Sequence, residues 1–94
     1  MFFDRRGVKY VVLIGKFERP DFKYDRFEIK RRLERLGVNV EDKVSLRTDF
    51  VLLGKEPETN SETDTHNYNI VQRISVPVVE RTQAQEYVEY YLED

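Results

Sequence analysis

The chain alternates between short apolar runs and polar segments, and the period of each apolar run separates strands from helices. Residues 9–14 form a nearly continuous aliphatic run that ends at Gly15, and such a run predicts a strand buried on both faces. Shorter apolar runs predict three further strands, at residues 38–40, 49–53 and 76–79. Because proline cannot donate to a sheet ladder, Pro77 places the last of these strands at a sheet edge.

An amphipathic helix is predicted between the first two strands. Asp25 and Glu28 have the spacing of an N-terminal capping box, and Gly37 is a typical C-terminal stop. Between these signals, apolar residues recur every three or four positions, as they do on one face of a helix. The pattern therefore predicts a helix over residues 26–36.

Two further helices are predicted in the second half of the chain. Apolar residues at helical spacing predict one of them over about residues 65–74. Thr82 and Gln85 form a second capping-box pattern, which predicts that the last helix begins there. The acidic segment 55–64 contains no aliphatic residue and is predicted to be an exposed loop.

The resulting order of elements, β-α-β-β-α-β-α, restricts the topology of the sheet. The connection between the second and third strands is too short to hold a crossover helix, so these strands cannot form a conventional crossover pair. They can instead lie on opposite sides of the first strand, which gives the sheet order 2-1-3-4 with helices on both faces. We therefore expect a single α/β domain over residues 1–94, with a core spanning about residues 8–92.

Composition narrows the class of protein. The 94 residues suit one domain, and 39% hydrophobic residues with six Phe and six Tyr argue against disorder. The net charge of −2 provides no global positive field, so any nucleic-acid contact needs a local basic patch. The absence of cysteine removes disulfides and thiol chemistry. With no signal-peptide pattern and no apolar run near ~18 residues, we expect a cytoplasmic protein, or a nuclear one if eukaryotic, with no membrane partner.

Four segments, taken in order, resemble the BRCT domains of DNA replication and repair proteins. They are residues 12–15 (Val-Leu-Ile-Gly), 26–37, 44–54 and 74–79 (Ile-Ser-Val-Pro-Val-Val). Their spacing is that of the single BRCT domains of bacterial NAD-dependent DNA ligases and clamp-loader large subunits. The resemblance implies a four-stranded parallel sheet of order 2-1-3-4 with three helices. It also implies a non-enzymatic interaction module in a replication or repair protein.

The chain departs from the family pattern at four positions. Ile14 stands where phosphate-binding members have Ser or Thr, and residues 65–67 read Thr-His-Asn where those members offer a lysine. Ser75 replaces a glycine before the fourth strand, and Tyr87 is expected to replace the packing of a tryptophan in the last helix. The first two differences remove side chains from the phosphate pocket of the family, whereas the last two concern the fold.

Gly15 and Lys16 form the first candidate site. They follow the central strand at its carboxyl end, which is where open α/β sheets bind ligands. The N–H of Gly15 and the ammonium group of Lys16 could both contact a phosphate. The alternative interpretation, which we favour because Ile14 has no hydroxyl, is a tight turn with a solvated lysine.

The polar face of the first helix forms the second candidate site. Its cations could contact DNA phosphates together with Gly15 and Lys16, and they are Arg26, Lys30, Arg31 and Arg35. At 100° per residue, Phe27 falls on this same face. A docking face for a protein partner would consist of Tyr24, Phe27, Arg31 and Arg35. The alternative is an ordinary solvated face with Phe27 covered by the loop at residues 18–24.

No constellation of residues indicates catalysis. His66 is the only histidine, so a metal site is not expected, and the acidic pairs Glu56/Glu58 and Glu86/Glu89 fall in polar segments. We therefore predict a non-enzyme without a cofactor or a small-molecule substrate. Protein docking, including self-association, is the leading hypothesis for function. DNA binding, at a DNA end or 5′-phosphate, is the second hypothesis, and phosphopeptide recognition is the third.

Overall fold

A computed structural model describes residues 10–92, in which four parallel strands form one sheet. The strands are β1 (Tyr10–Ile14), β2 (Asn39–Glu41), β3 (Phe50–Leu53) and β4 (Val78–Val79). Their order is β2-β1-β3-β4, and every neighbouring pair is parallel. The predicted sheet order is confirmed. Pro77 immediately precedes β4, which lies at the edge of the sheet as its sequence predicted.

Three helices and a π-helical segment complete the described chain. They are α1 (Arg26–Arg35), α2 (Glu62–Val71), α3 (Arg81–Glu86) and the π-helical segment (Tyr87–Tyr91). The first helix lies where the sequence predicted it. The second begins three residues earlier than the predicted position 65, because the hydroxyl of Ser61 accepts a hydrogen bond from the N–H of Asp64 and caps the helix there.

The predicted capping boxes have different outcomes. At the start of α1, Asp25 Oδ1 accepts a hydrogen bond from the N–H of Glu28 at 2.9 Å, which confirms Asp25 as the cap. At the start of α3, the capping residue is Glu80, and its side chain makes no capping hydrogen bond. The prediction of a Thr82–Gln85 box is therefore wrong, since Thr82 lies inside the helix rather than before it.

Alternation along the strands divides the core into two layers. Successive strand residues point to opposite faces of the sheet, so Val11 and Val12 lie in different apolar clusters. The larger cluster contains Ile29 of α1 and Val88 of the π-helical segment, whereas the smaller one contains Val71 of α2. Consequently α1 and α3 cover one face of the sheet, and α2 covers the other.

Tyr87 fills the core position predicted for it. Its side chain is 2% exposed, and its ring meets that of Phe50 edge to face, with the ring centroids 5.5 Å apart. Tyr91 stacks on its other side at 4.8 Å. Aromatic pairs at these distances add about 0.5–1.5 kcal/mol beyond the burial of their area. Tyr87 is therefore a central packing residue of the larger core cluster.

Two glycines allow the chain to approach itself closely beyond the ends of β1 and β3. The N–H groups of Lys16 and Lys55 donate to each other's carbonyl oxygens at 2.8 and 2.9 Å. A Cβ atom on Gly54 would lie 2.5 Å from the carbonyl oxygen of Lys16. Gly15 has φ of +104°, a conformation that residues with a side chain rarely adopt. The close approach of the chain beyond the carboxyl ends of β1 and β3 thus requires both glycines.

The variant Gly54→Ala is expected to be less stable by about 1–3 kcal/mol, because its methyl group would overlap backbone atoms that cannot move independently. Urea unfolding followed by circular dichroism measures this change. Gly37→Asn is a matched control: a Cβ at Gly37 meets nothing within 4 Å, and asparagine tolerates a positive φ. A loss in Gly54→Ala no larger than in the control would contradict the close-approach argument.

Candidate functional site

A fully buried carboxylate, Asp64, lies beside the carboxyl end of β1. Its Oδ2 atom accepts hydrogen bonds from the N–H of Gly15 at 2.9 Å and from the amide of Asn60 at 2.8 Å. The guanidinium group of Arg26 binds both oxygens, at 2.8 Å to Oδ2 and 3.1 Å to Oδ1. Donors from three separate segments of the chain therefore converge on one carboxylate that has no contact with solvent.

The position of Asp64 follows from the local sequence. Ser61 and Asp64 have the Ser-x-x-Asp spacing that typically starts a helix, and the cap at Ser61 makes Asp64 the third residue of α2. A carboxylate in the first turn is also favoured by the helix dipole. The prediction that residues 55–64 form an exposed loop is wrong at its end, because Asp64 is buried against β1. The signal for this site was the Ser61–Asp64 spacing.

Arg26 connects this carboxylate to the main chain of β1. Besides Asp64, its guanidinium group donates to the carbonyl oxygens of Leu13 and Gly15, both at 2.8 Å. Its side chain as a whole is 40% exposed. Arg26 thereby joins the start of α1, the end of β1 and the start of α2.

The pKa of Asp64 reflects opposing influences. Burial raises it, but hydrogen bonds from Arg26, Asn60 and the N–H of Gly15, together with the positive charge of Arg26, lower it more. The net result is a pKa below the ordinary value of 3.8 for aspartate. Asp64 is therefore ionised at neutral pH, and its ionised form stabilises the folded state.

These contacts use two of the groups that were predicted to bind phosphate. The N–H of Gly15 and the guanidinium group of Arg26 already bind Asp64, so a phosphate at this place would compete with a carboxylate of the chain. Lys16 pairs its ammonium group with Glu56 at 3.4 Å on the surface. Of the predicted contacts, Gly15 and Arg26 are thus brought together around Asp64, whereas Lys16 points to another acidic partner.

The outer face of α1 is charged and carries one exposed aromatic ring. Phe27 is 74% exposed, which agrees with its predicted position on the polar face rather than under the loop. Lys30 and Arg35 are exposed as well, and Arg31 pairs with Glu28 at 3.0 Å. This face therefore presents an apolar ring that is followed by cations on the next two turns of the helix.

Tyr24 differs from the other residues of the predicted docking face. It is half-buried and packs against the larger core cluster, and the guanidinium carbon of Arg32 lies 4.0 Å from the centre of its ring. Arg32 also donates to Glu28 at 2.9 Å and to the carbonyl oxygen of Leu92 at 3.0 Å. Tyr24 lines a cleft of about 450 Å³ beside α1, together with Glu28. It forms a wall of this cleft, whereas Phe27 projects into solvent.

The remaining candidates of the sequence lie on the surface. His66 is exposed on α2, and Glu56, Glu58, Glu86 and Glu89 are exposed too. Within residues 10–92, no three acidic or histidine side chains are grouped so as to hold a metal ion. In the same range, none of the helices has both the length and the apolar character needed to cross a bilayer.

The sheet order and the three helices define the architecture of a BRCT domain. The sequence pattern of the BRCA1 C Terminus (BRCT) domain matches residues 7–83, so the chain belongs to the BRCT family and the predicted resemblance is confirmed. Members of this family are generally non-catalytic modules that mediate protein or DNA interactions, and they are typical of DNA repair and replication proteins.

The relatives found among curated proteins are DNA ligases. The chain is 34% identical over 76 residues to the DNA ligase of Lactobacillus helveticus, a match that covers 81% of this chain and 10% of the relative. It is 41% identical over 54 residues to the DNA ligase of Clostridium novyi, covering 57% of this chain and 8% of the relative. The chain thus spans about a tenth of the length of these relatives.

The variant Asp64→Asn is expected to lose stability by about 2–3 kcal/mol at pH 7, less than the ~3–5 kcal/mol of a fully buried pair because Arg26 is partly exposed. Since the pKa of Asp64 is lowered on folding, its contribution is complete above the unfolded pKa and disappears as the pH falls through the folded pKa. The difference in unfolding free energy between wild type and variant should therefore narrow below pH 3.8.

Urea unfolding from pH 2 to pH 7 measures this difference at each pH. Glu62→Gln is a matched control, because it removes an exposed carboxylate from the first turn of the same helix. We expect the control to change stability by less than about 0.5 kcal/mol. A difference between wild type and Asp64→Asn that stays constant with pH would rule out the ionised carboxylate as the stabilising species.

Proposed function

We propose that this BRCT domain is a non-enzymatic module that docks a protein partner through the outer face of α1, within a DNA replication or repair protein. The observation that carries the proposal is the exposure of Phe27, whose ring is 74% exposed in the first turn of a charged helix. A large aromatic side chain can bury about 150–250 Å² in an interface. Phe27 would be the apolar anchor of the contact.

The surroundings of Phe27 suit such an anchor. Lys30 and Arg31 lie three and four positions later in the helix, so they are its neighbours on the same face. Arg35 extends this basic face by one further turn. A central aromatic residue with a polar rim is the usual arrangement of a binding hot spot. The partner surface should therefore offer an apolar pocket with carboxylates around it.

The chemistry of the interior agrees with a non-catalytic role. Asp64 is the fully buried carboxylate of the described chain, and four hydrogen bonds hold it in its ionised form. A general acid or base must instead exchange its proton with a substrate within reach. The generally non-catalytic character of the family supports the same conclusion.

DNA binding is the second candidate, favoured by the DNA ligases among the relatives of the chain. Lys30 and Arg35 are exposed on α1 and would contact phosphates together with Arg31 of the same helix and with Lys16, which follows β1. Arg26 and Gly15 would take part only after leaving Asp64. Because several of these cations pair with carboxylates of the chain, we rank DNA binding below protein docking.

Benzoylphenylalanine introduced in place of Phe27 is expected to cross-link the docking partner on illumination of living cells. The product should have a defined mass, and Arg35→Glu should reduce it several-fold by reversing a charge at the rim of the face. Electrophoresis and mass spectrometry measure the product. A product of twice the 11.3 kDa mass of the chain would identify self-association as the docking event.

The matched control places the same photoreactive residue at His66, which is exposed on α2 across the sheet. We expect no product of defined mass from this position. Equal products from positions 27 and 66 would indicate random collisions. Equal products, or the lack of any product from position 27, would contradict the docking face.

For the second candidate, affinity for a 5′-phosphorylated duplex should fall steeply with salt, with a slope of log affinity against log salt of about −0.9 per phosphate contact. Lys30→Glu and Arg35→Glu should each reduce the slope by about 1. Fluorescence anisotropy measures it. Arg73→Glu, which changes an exposed cation beyond the end of α2, should leave the slope unchanged. Equal effects of all three variants, or no binding at low salt, would exclude this mode of DNA binding.

A further inference from the structure

We propose that the carboxyl end of β1 carries an oxyanion-binding site that the chain occupies with its own Asp64 carboxylate, and that this occupation excludes phosphate in the wild-type protein. The donors of the site are the N–H of Gly15, the guanidinium group of Arg26 and the amide of Asn60. The proposal does not depend on the docking face of α1, since Phe27 takes no part in it.

The chemistry of the donors is that of an anion site. A guanidinium group that binds two oxygens of one ligand and a main-chain N–H at the end of a parallel strand both select oxyanions. Together with Asn60, they make four hydrogen bonds to the two oxygens of Asp64. A tetrahedral phosphate also offers negatively charged oxygens that accept hydrogen bonds.

Two of the three donors, Arg26 and the N–H of Gly15, are held in place by contacts that do not involve Asp64. Arg26 donates to the carbonyl oxygens of Leu13 and Gly15, and these bonds fix its guanidinium group independently of the carboxylate. The paired hydrogen bonds between Lys16 and Lys55 fix the main chain immediately after Gly15. Removal of the Asp64 side chain should therefore leave a preorganised site without an anion.

Asp64 is an effective occupant because it belongs to the same chain. It is 0% exposed, and the cap at Ser61 holds its helix in place. Its carboxylate therefore loses no translational or rotational entropy when it binds the donors, unlike a free anion. An external phosphate would have to displace this carboxylate and meet its negative charge. Arg26 is 40% exposed, so the site lies close enough to solvent for a small anion to enter once the carboxylate is removed.

Thermal unfolding of Asp64→Ala in increasing inorganic phosphate, at ionic strength kept constant with chloride, tests the proposal. The melting temperature of this variant should rise with the logarithm of the phosphate concentration once that concentration exceeds the dissociation constant, by about 5 °C or more at tenfold excess. The wild-type protein should not respond in this way. Asp64→Asn should also respond weakly, because its amide still fills the space between the donors.

The double variant Asp64→Ala/Arg26→Gln removes the guanidinium group and should lose the response to phosphate. If Asp64→Ala is unfolded in chloride, the proposal requires that phosphate restores the circular dichroism of the fold. An Asp64→Ala chain that gains no stability from phosphate, or stays unfolded in it, would overturn the proposal. A wild-type response as large as that of the variant would also overturn it, since the site would then be open.

Discussion

The ion pair between Arg26 and Asp64 is the contact on which the arrangement of the described domain depends. It joins residues 38 positions apart and links the start of α1, on one face of the sheet, to the start of α2, on the other. Because Arg26 also binds main-chain carbonyls at the end of β1, the pair sets both helices against the central strand. The outer face of α1, which carries Phe27, therefore lies on a helix that this contact helps to position.

The carboxyl end of β1 departs in sequence and in contacts from the pattern of the phosphate-binding family members. The sequence lacks a hydroxyl at Ile14, and Ile14 is fully buried in the smaller core cluster. The main-chain donor beside it, Gly15, is used by Asp64. An anion is therefore still present at the end of β1, but it is a side chain of the protein. The carboxyl end of β1 is therefore filled by groups of the chain itself, whereas the outer face of α1 exposes Phe27 and its neighbouring cations to solvent.

The sequence predicted most of the fold because the strands and α1 are specified locally. The aliphatic run of β1, the cap at Asp25 and the short connection before β3 are all visible without tertiary information. Helical spacing placed Phe27 on the polar face of α1, but it did not decide whether the loop at residues 18–24 covers this residue, which the structure shows to be 74% exposed. The Ser61–Asp64 spacing indicated where α2 starts, but not that Asp64 is buried, because its burial depends on Arg26, 38 positions away in the chain. The start of α3 was missed since its cap uses no side chain of its own.

Arg32 anchors the last turn of α1 to the rest of the domain. It donates to the carbonyl oxygen of Leu92 and lies over the ring of Tyr24, while Arg26 holds the opposite end of the helix to β1. The helix is therefore anchored at its first and its last turn. A partner would therefore bind a rigid helix that loses little conformational entropy on binding. We expect the backbone of α1 to change little between the free and the bound state.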